Sequence, residues 1–278
     1  MNARPLSYPP LNVGLMPPAK KRTRSYDPVK IRAAVLAQFE NVRQAVGTLT
    51  PEQLALPTRL GDWTVRDLAG HIAMVVGAVG RSLEQREPAR QELDLLDWPF
   101  ATVAFAGKVS DDTKEIAASG EPEELYVRTA ARLAELLPAA SDGRLLATRV
   151  GAMRLGDFLV TRTVELIVHT DDLNDATGLG IPYDRQALAA CTRLLADALA
   201  VKAPGASTEV RVPPFAVVQC VEGPRHTRGT PPNVVETDPL TWIRLATGRT
   251  GWAEALEAAK VSASGERADL SGLLPILG

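Results

Sequence analysis

The sequence predicts a helical bundle followed by a small α+β domain. Three observations carry this. Long stretches between residues 27 and 202 place apolar residues at helical spacing, and several open with capping residues. The segment Ala203-Pro204-Gly205-Ala206-Ser207 then breaks the pattern. Beyond it come short alternating runs, which read as strands. The predicted organisation is a disordered lead-in over 1–26, a bundle over 27–202 and an α+β domain over 208–278.

The lead-in holds five prolines, no long apolar core and a late basic cluster, Lys20-Lys21-Arg22, so it is not a secretory signal. That basic run reads as a solvated surface. The first helix starts at Asp27-Pro28, where Asp accepts free amide hydrogens and Pro suits the first helical position. Ile31, Val35, Leu36, Phe39 and Val42 form its apolar spacing, and Gly47 and Pro51 end it. The second helix opens at Thr64, with Thr64 and Asp67 spaced as a capping box. Val65, Leu68, Ile72, Val75, Val76 and Val79 make its stripe, and Trp63 anchors the preceding loop.

Residues 87–120 read as irregular, with Trp98-Pro99-Phe100 folded onto the bundle. A third helix is predicted from Glu121 to about Leu137. A fourth runs from Leu155 to about Ala176, where Gly178 and Gly180 stop it, and a fifth from Asp184 to Lys202. Glu209–Val212, Phe215–Val221 and Val234–Thr237 are the strand candidates. Short helices near 239–246 and 251–258 and a strand near 260–263 complete the chain.

Composition narrows the function classes. Thirty-one Lys plus Arg against 33 Asp plus Glu give a net charge of −2, and aromatics are 5%. Neither a polybasic surface nor a base-stacking platform is expected, so nucleic acid is not an expected partner. No apolar run reaches membrane-spanning length. Cys191 and Cys220 are far apart and make no disulfide framework, which fits a reduced, cytoplasmic setting.

The chemistry concentrates in the fourth helix. Glu165 and His169 are four residues apart and share a face with Asp172. The helix is apolar nearly all round, so these groups are buried, and buried charge must be paired or metal-bound. A carboxylate and an imidazole one turn apart can hold a divalent ion, with His71 of the second helix as third ligand. Two imidazoles and one carboxylate leave coordination positions open. An ion pair joined by Arg162, with His71 a satisfied core histidine, is the competing reading. His226, in Gly223-Pro224-Arg225-His226, reads as a solvated loop residue.

Trp63-Thr64-Val65-Arg66-Asp67-Leu68-Ala69-Gly70-His71 resembles the WTVRDLxxHL motif of the mycothiol-dependent maleylpyruvate isomerase family, within the DinB-like metalloproteins. The stretch from Glu165 through His169 to Asp172-Leu173 resembles that family's ExxxHxxDL motif. Thr237 to Gly265, with Trp242-Ile243-Arg244-Leu245-Ala246-Thr247-Gly248-Arg249, resembles a sterol-carrier-like domain. The resemblance spans roughly residues 28–278. It implies a DinB-like up-down four-helix bundle with a sterol-carrier-like α+β domain behind it. It also implies a divalent metal, zinc first, on His71, Glu165 and His169, and mycothiol or another low-molecular-weight thiol as cofactor.

The expected activity is cis–trans isomerisation or thiol transfer on a small electrophile or unsaturated acid. Asp172 is expected to orient a ligand or the thiol, and Arg244 and Arg249 to hold a substrate carboxylate. The alternatives are a non-catalytic metalloprotein and a small-molecule or lipid-binding module, the latter with Val210, Val212, Phe215, Val217 and Val218 lining a groove. Substrate and oligomeric state are not legible.

Overall fold

The computed structural model describes residues 24–223 and 233–277. His226 and most of the lead-in lie outside them. Ten α-helices and six strands are present among the described residues. They are α1 (Pro28–Val46), α2 (Pro51–Leu54), α3 (Val65–Glu84), α4 (Trp98–Ala101), α5 (Ala106–Ala118), α6 (Pro122–Leu136), β1 (Leu145–Thr148), β2 (Gly151–Arg154), α7 (Leu155–Thr177) and α8 (Arg185–Lys202). After these come β3 (Thr208–Val212), β4 (Ala216–Cys220), β5 (Val234–Thr237), α9 (Pro239–Ala246), α10 (Trp252–Glu257) and β6 (Val261–Ser264).

The helix starts follow from their caps. Asp27 accepts from the amides of Val29 and Lys30, at 3.0 and 3.2 Å. Thr64 and Asp67 form the expected reciprocal box, with Thr64 N–H on Asp67 at 2.8 Å and Asp67 N–H on the Thr64 hydroxyl at 3.3 Å. Gly178 closes α7 in the left-handed conformation, at φ 69°.

The bundle consists of α1, α3, α6 and α7. Helix α1 packs on α7 and α6, and α3 packs on α6 and α7. The ring order is therefore α1, α6, α3, α7, with the first two long helices facing each other across the bundle. Helix α7 is buried along most of its length, with Leu155, Leu159, Leu166, Ile167 and Leu173 at 1% exposure or less. Each such side chain contributes roughly 1.5–3 kcal/mol, which helps to carry the polar groups on the same helix.

Two elements depart from the sequence reading. Residues 106–118 form α5, where irregular chain was expected. Its apolar side is thin, with only Thr113 and Ala117 buried, so its periodicity is weak. β1 and β2 form an antiparallel hairpin over 145–154 that sequence reading did not assign. Four-residue strands are too short to show alternation. The Ser82 hydroxyl donates to the Ala147 carbonyl at 2.8 Å and fixes this hairpin on α3.

The C-terminal sheet has the order β4-β3-β5-β6, with β3 parallel to β5 and the other pairs antiparallel. Helix α8 packs on α7 and α1, and also on β4 and α9, so it touches both layers. The chain passes from α8 to β3 through Ala203–Ser207, where Gly205 lies against the Val221 carbonyl so closely that a Cβ would overlap it. Val210, Val212 and Val218 are buried and Val217 is exposed, so this alternation serves the sheet core. At the chain start, Arg24 pairs with Asp197 of α8 at 2.9 Å, and Tyr26 packs against the core.

Gly70 sets the separation of α3 and α5, because a Cβ there would sit 3.0 Å from the Ala117 Cβ. Replacing Gly70 with Val therefore overpacks this contact and destabilises the fold by about 1–3 kcal/mol. Urea unfolding measures it as a lowered midpoint. An unchanged midpoint would mean that α5 is not held against α3.

Candidate metal centre

His71, Glu165 and His169 converge. One ligand atom from each lies within 4.8 Å of the other two. His71 Nε2 stands 3.6 Å and His169 Nε2 3.3 Å from the same Glu165 Oε2. The imidazoles meet edge to face, with centroids 4.7 Å apart and planes at 82°. Helices α3 and α7 supply these residues, and their direct contact brings the two sequence motifs together.

Both rings are held from behind. His71 Nδ1 lies 3.2 Å from the Thr113 hydroxyl of α5, and His169 Nδ1 lies 2.9 Å from Asp172 Oδ2. Each imidazole thus directs Nε2 at the shared point. An oriented imidazole backed by a carboxylate or hydroxyl is the arrangement that metal-binding histidines use. The donor set fits a divalent cation: two imidazole nitrogens, one carboxylate oxygen and space beside them.

The electrostatics agree with this geometry. Burial pushes the His71 imidazole below its ordinary pKa. Burial acts against the charged form of Glu165 too, but the two neighbouring histidines and the Arg162 charge hold it well below the carboxylate range. Burial likewise opposes charge on His169, while Asp172 and Glu165 outweigh it and raise its pKa. The glutamate is therefore an anion at neutral pH and available as a ligand.

Asp172 is fully buried, and Asp171 nearly so. Arg59 donates to Asp172 at 2.7 Å and to Asp171 at 2.6 Å. Arg244 donates twice to Asp171, at 2.8 and 2.6 Å, and Arg249 twice to Asp172, at 3.2 and 2.9 Å. The Tyr183 hydroxyl adds a 3.0 Å bond to Asp171. Each carboxylate is thus gripped by the bundle and by the C-terminal segment at once. Both C-terminal arginines are engaged with protein carboxylates.

Sequence reading missed Arg59 and Thr113. Arg59 lies in a turn 112 residues before Asp171, and no local pattern announces a pairing over that distance. Thr113 sits on the helix whose periodicity is weak.

The centre opens into a cavity of about 750 Å³. Trp63, Met74, Val75, Trp98, Phe105 and Phe158 form much of its apolar wall. The Trp63 ring lies 5.0 Å from His71, and its Nε1–H donates to Ser110 at 3.0 Å. Arg162 is buried beside Glu165 Oε1 at 3.7 Å, lies over the Phe158 ring at 4.4 Å and donates to the Val75 carbonyl at 3.0 Å. From the C-terminal segment, Thr247, Arg249 and Leu277 reach the cavity, whereas Arg244 is not part of its lining.

Residues 35–174 match the family model of the mycothiol maleylpyruvate isomerase N-terminal domain. The chain belongs to this family. A second family model, described as a bacterial SCP ortholog, matches residues 184–276 and so begins at the N-cap of α8. Among solved structures, the mycothiol-dependent maleylpyruvate isomerase aligns at 15% identity over 88% of this chain and 95% of its own, with TM-score 0.57. A histidine-to-alanine mutant of that isomerase aligns with the same values. YfiT from Bacillus subtilis, described as a probable metal-dependent hydrolase with an unusual four-helix bundle topology, aligns at 23% identity over 58% of this chain and 91% of its own, with TM-score 0.33. No curated protein matches. The isomerase likeness establishes the shared fold, and the second family model gives the C-terminal α+β part its SCP-like character.

Asp172→Asn keeps a side chain of the same size but replaces the anion behind His169 with a neutral amide. Metal affinity should fall about 10- to 100-fold, measured by competition with a chromophoric chelator. Undiminished affinity would remove Asp172 from the support of the centre.

Proposed function

We propose that the chain is a metal-dependent enzyme that uses mycothiol or a similar low-molecular-weight thiol on a small electrophile. The observation that carries this is the convergence of two back-anchored imidazoles and a carboxylate on one point in the wall of a cavity of about 750 Å³. Family membership supports the choice of thiol, because the matched isomerase structure is described as mycothiol-dependent.

His71, Glu165 and His169 are the proposed ligands, and zinc is the proposed ion, since this donor set with open positions suits it. When bound, the metal supplies Lewis acidity that lowers the pKa of a cofactor thiol. The protein's own residues do the remainder. Thr113 and Asp172 hold the imidazoles in orientation. Arg162 lies beside Glu165 and helps to keep its carboxylate ionised. The apolar wall excludes water from the reacting atoms.

In the isomerase reading, the thiolate adds to the β-carbon of a conjugated cis double bond. The π electrons move to the carbonyl oxygen, the new single bond rotates, and reversal expels the thiolate and leaves the trans isomer. In the transfer reading, the thiolate displaces a leaving group and the thioether departs. Neither reading needs a cysteine of the chain. Arg249 is the proposed C-terminal contact for a substrate carboxylate at the cavity, and Arg244 braces Asp171 beside it. A cytoplasmic location belongs to the same proposal. Among the described residues, no helix is long and apolar enough to cross a membrane.

Two assays test this. Maleylpyruvate and related cis-unsaturated acids should turn over only with thiol and metal both present. Metal retained with no turnover across thiols and electrophiles would favour a non-catalytic metalloprotein. His169→Ala should lose bound metal, by elemental analysis of untagged protein, and activity together. Full activity without metal would refute the assignment.

A further inference from the structure

Glu165 presents its two oxygens to different neighbours. Oε2 belongs to the ligand cluster, 3.6 Å from His71 Nε2 and 3.3 Å from His169 Nε2. Oε1 is the oxygen that pairs with Arg162, 3.7 Å from Nη2. The division follows from the order of residues along α7. Arg162 lies about one turn before the carboxylate and His169 about one turn after it, so all three share a face.

The guanidinium is pinned where it stands. Its Nε and Nη2 donate to the Thr161 hydroxyl at 3.2 and 3.1 Å, and Nη1 donates to the Val75 carbonyl of α3 at 3.0 Å. The Phe158 ring lies 4.4 Å from it and the Trp98 ring 5.9 Å. Arg162 is only 5% exposed, and Glu165 is the carboxylate it pairs with among the described residues. Burying a guanidinium is costly, so its place calls for a reason. Charge balance does not supply one once a metal is bound, because a divalent ion neutralises Glu165 by itself. A cation fixed beside Oε1 does something else: it attracts that oxygen and repels a metal ion from that side.

We propose that Arg162 is a positioning residue that reserves Oε1 of Glu165, so that the carboxylate gives a bound metal one oxygen rather than two. The inference rests on the metal reading above. Two imidazoles and one oxygen are three donors, and a position stays open for a thiol sulfur. A chelating carboxylate would take that position. Arg162 therefore governs how many positions the centre leaves open, and not whether the metal binds.

Cobalt(II) in place of zinc reports coordination directly, because its visible bands are intense in low-coordinate sites and weak in crowded ones. The wild-type protein loaded with one equivalent should show intense bands and gain a sulfur-to-metal charge-transfer band when mercaptoethanol is added. Arg162→Met keeps an unbranched side chain but has no donor and no charge. It should weaken the visible bands and lower mercaptoethanol affinity about 10-fold, while cobalt affinity holds or rises. A fall in cobalt affinity of about 10- to 100-fold, the usual cost of losing an outer support, with the spectrum unchanged, would mean that Arg162 only braces the ligand, and would overturn the proposal.

A second measurement needs no substitution. Infrared difference spectra, metal-loaded minus metal-free, of wild-type protein with isotope-labelled glutamate show how Glu165 binds. A carboxylate bound through one oxygen widens the gap between its two stretching bands, and a chelating one narrows it. A widened gap is expected. A narrowed gap with cobalt bound would refute the role of Arg162 and leave the metal centre standing. Protein that takes up no cobalt, by elemental analysis, would refute the metal reading and this inference together.

Discussion

Two adjacent buried carboxylates, Asp171 and Asp172, organise this molecule. Burying an unpaired carboxylate costs several kcal/mol, so their position on α7 demands partners. Arg59 comes from the loop before α3, and Arg244 and Arg249 from the C-terminal segment. One pair of side chains therefore joins the entrance of the second bundle helix, the central helix and the C-terminal domain. Asp172 uses its second oxygen to hold His169 as well. The orientation of a candidate ligand is thus coupled to the docking of the C-terminal domain.

That coupling gives a division of labour. The bundle contributes the three converging donors and most of the apolar wall. The C-terminal segment contributes Thr247, Arg249 and Leu277 at the cavity. Helix α8 lies between the layers and packs on both. The SCP-like family match begins at its cap, and this agrees with α8 building the sheet's core as much as the bundle's. The alternating valines of β3 and β4 are consumed by that core.

Much of the frame was legible because local chemistry fixed it. Asp27-Pro28, Thr64 with Asp67 and Asp184 each signal a helix start through groups that satisfy free amides. Glu165, His169 and Asp172 share a face by arithmetic alone. The long apolar runs of α3 and α7 made them buried neighbours, which put His71 opposite Glu165. What stayed hidden was non-local or weakly patterned. Arg59 pairs with residues more than a hundred positions away. Helix α5 buries little, so its thin periodicity concealed both the helix and Thr113. The β1–β2 hairpin is too short to alternate. Arg244 and Arg249 were legible as basic groups near the site, but their engagement with Asp171 and Asp172 depends on how the two layers meet.

X-ray absorption at the metal edge of protein loaded with one equivalent of zinc tests the central claim most directly. The account predicts two imidazole nitrogens and a carboxylate oxygen at about 2.0–2.2 Å, plus an exchangeable light atom that a thiol sulfur replaces at about 2.3 Å. A spectrum with fewer than two imidazoles, or one unchanged by His71→Ala and Glu165→Gln, would contradict it.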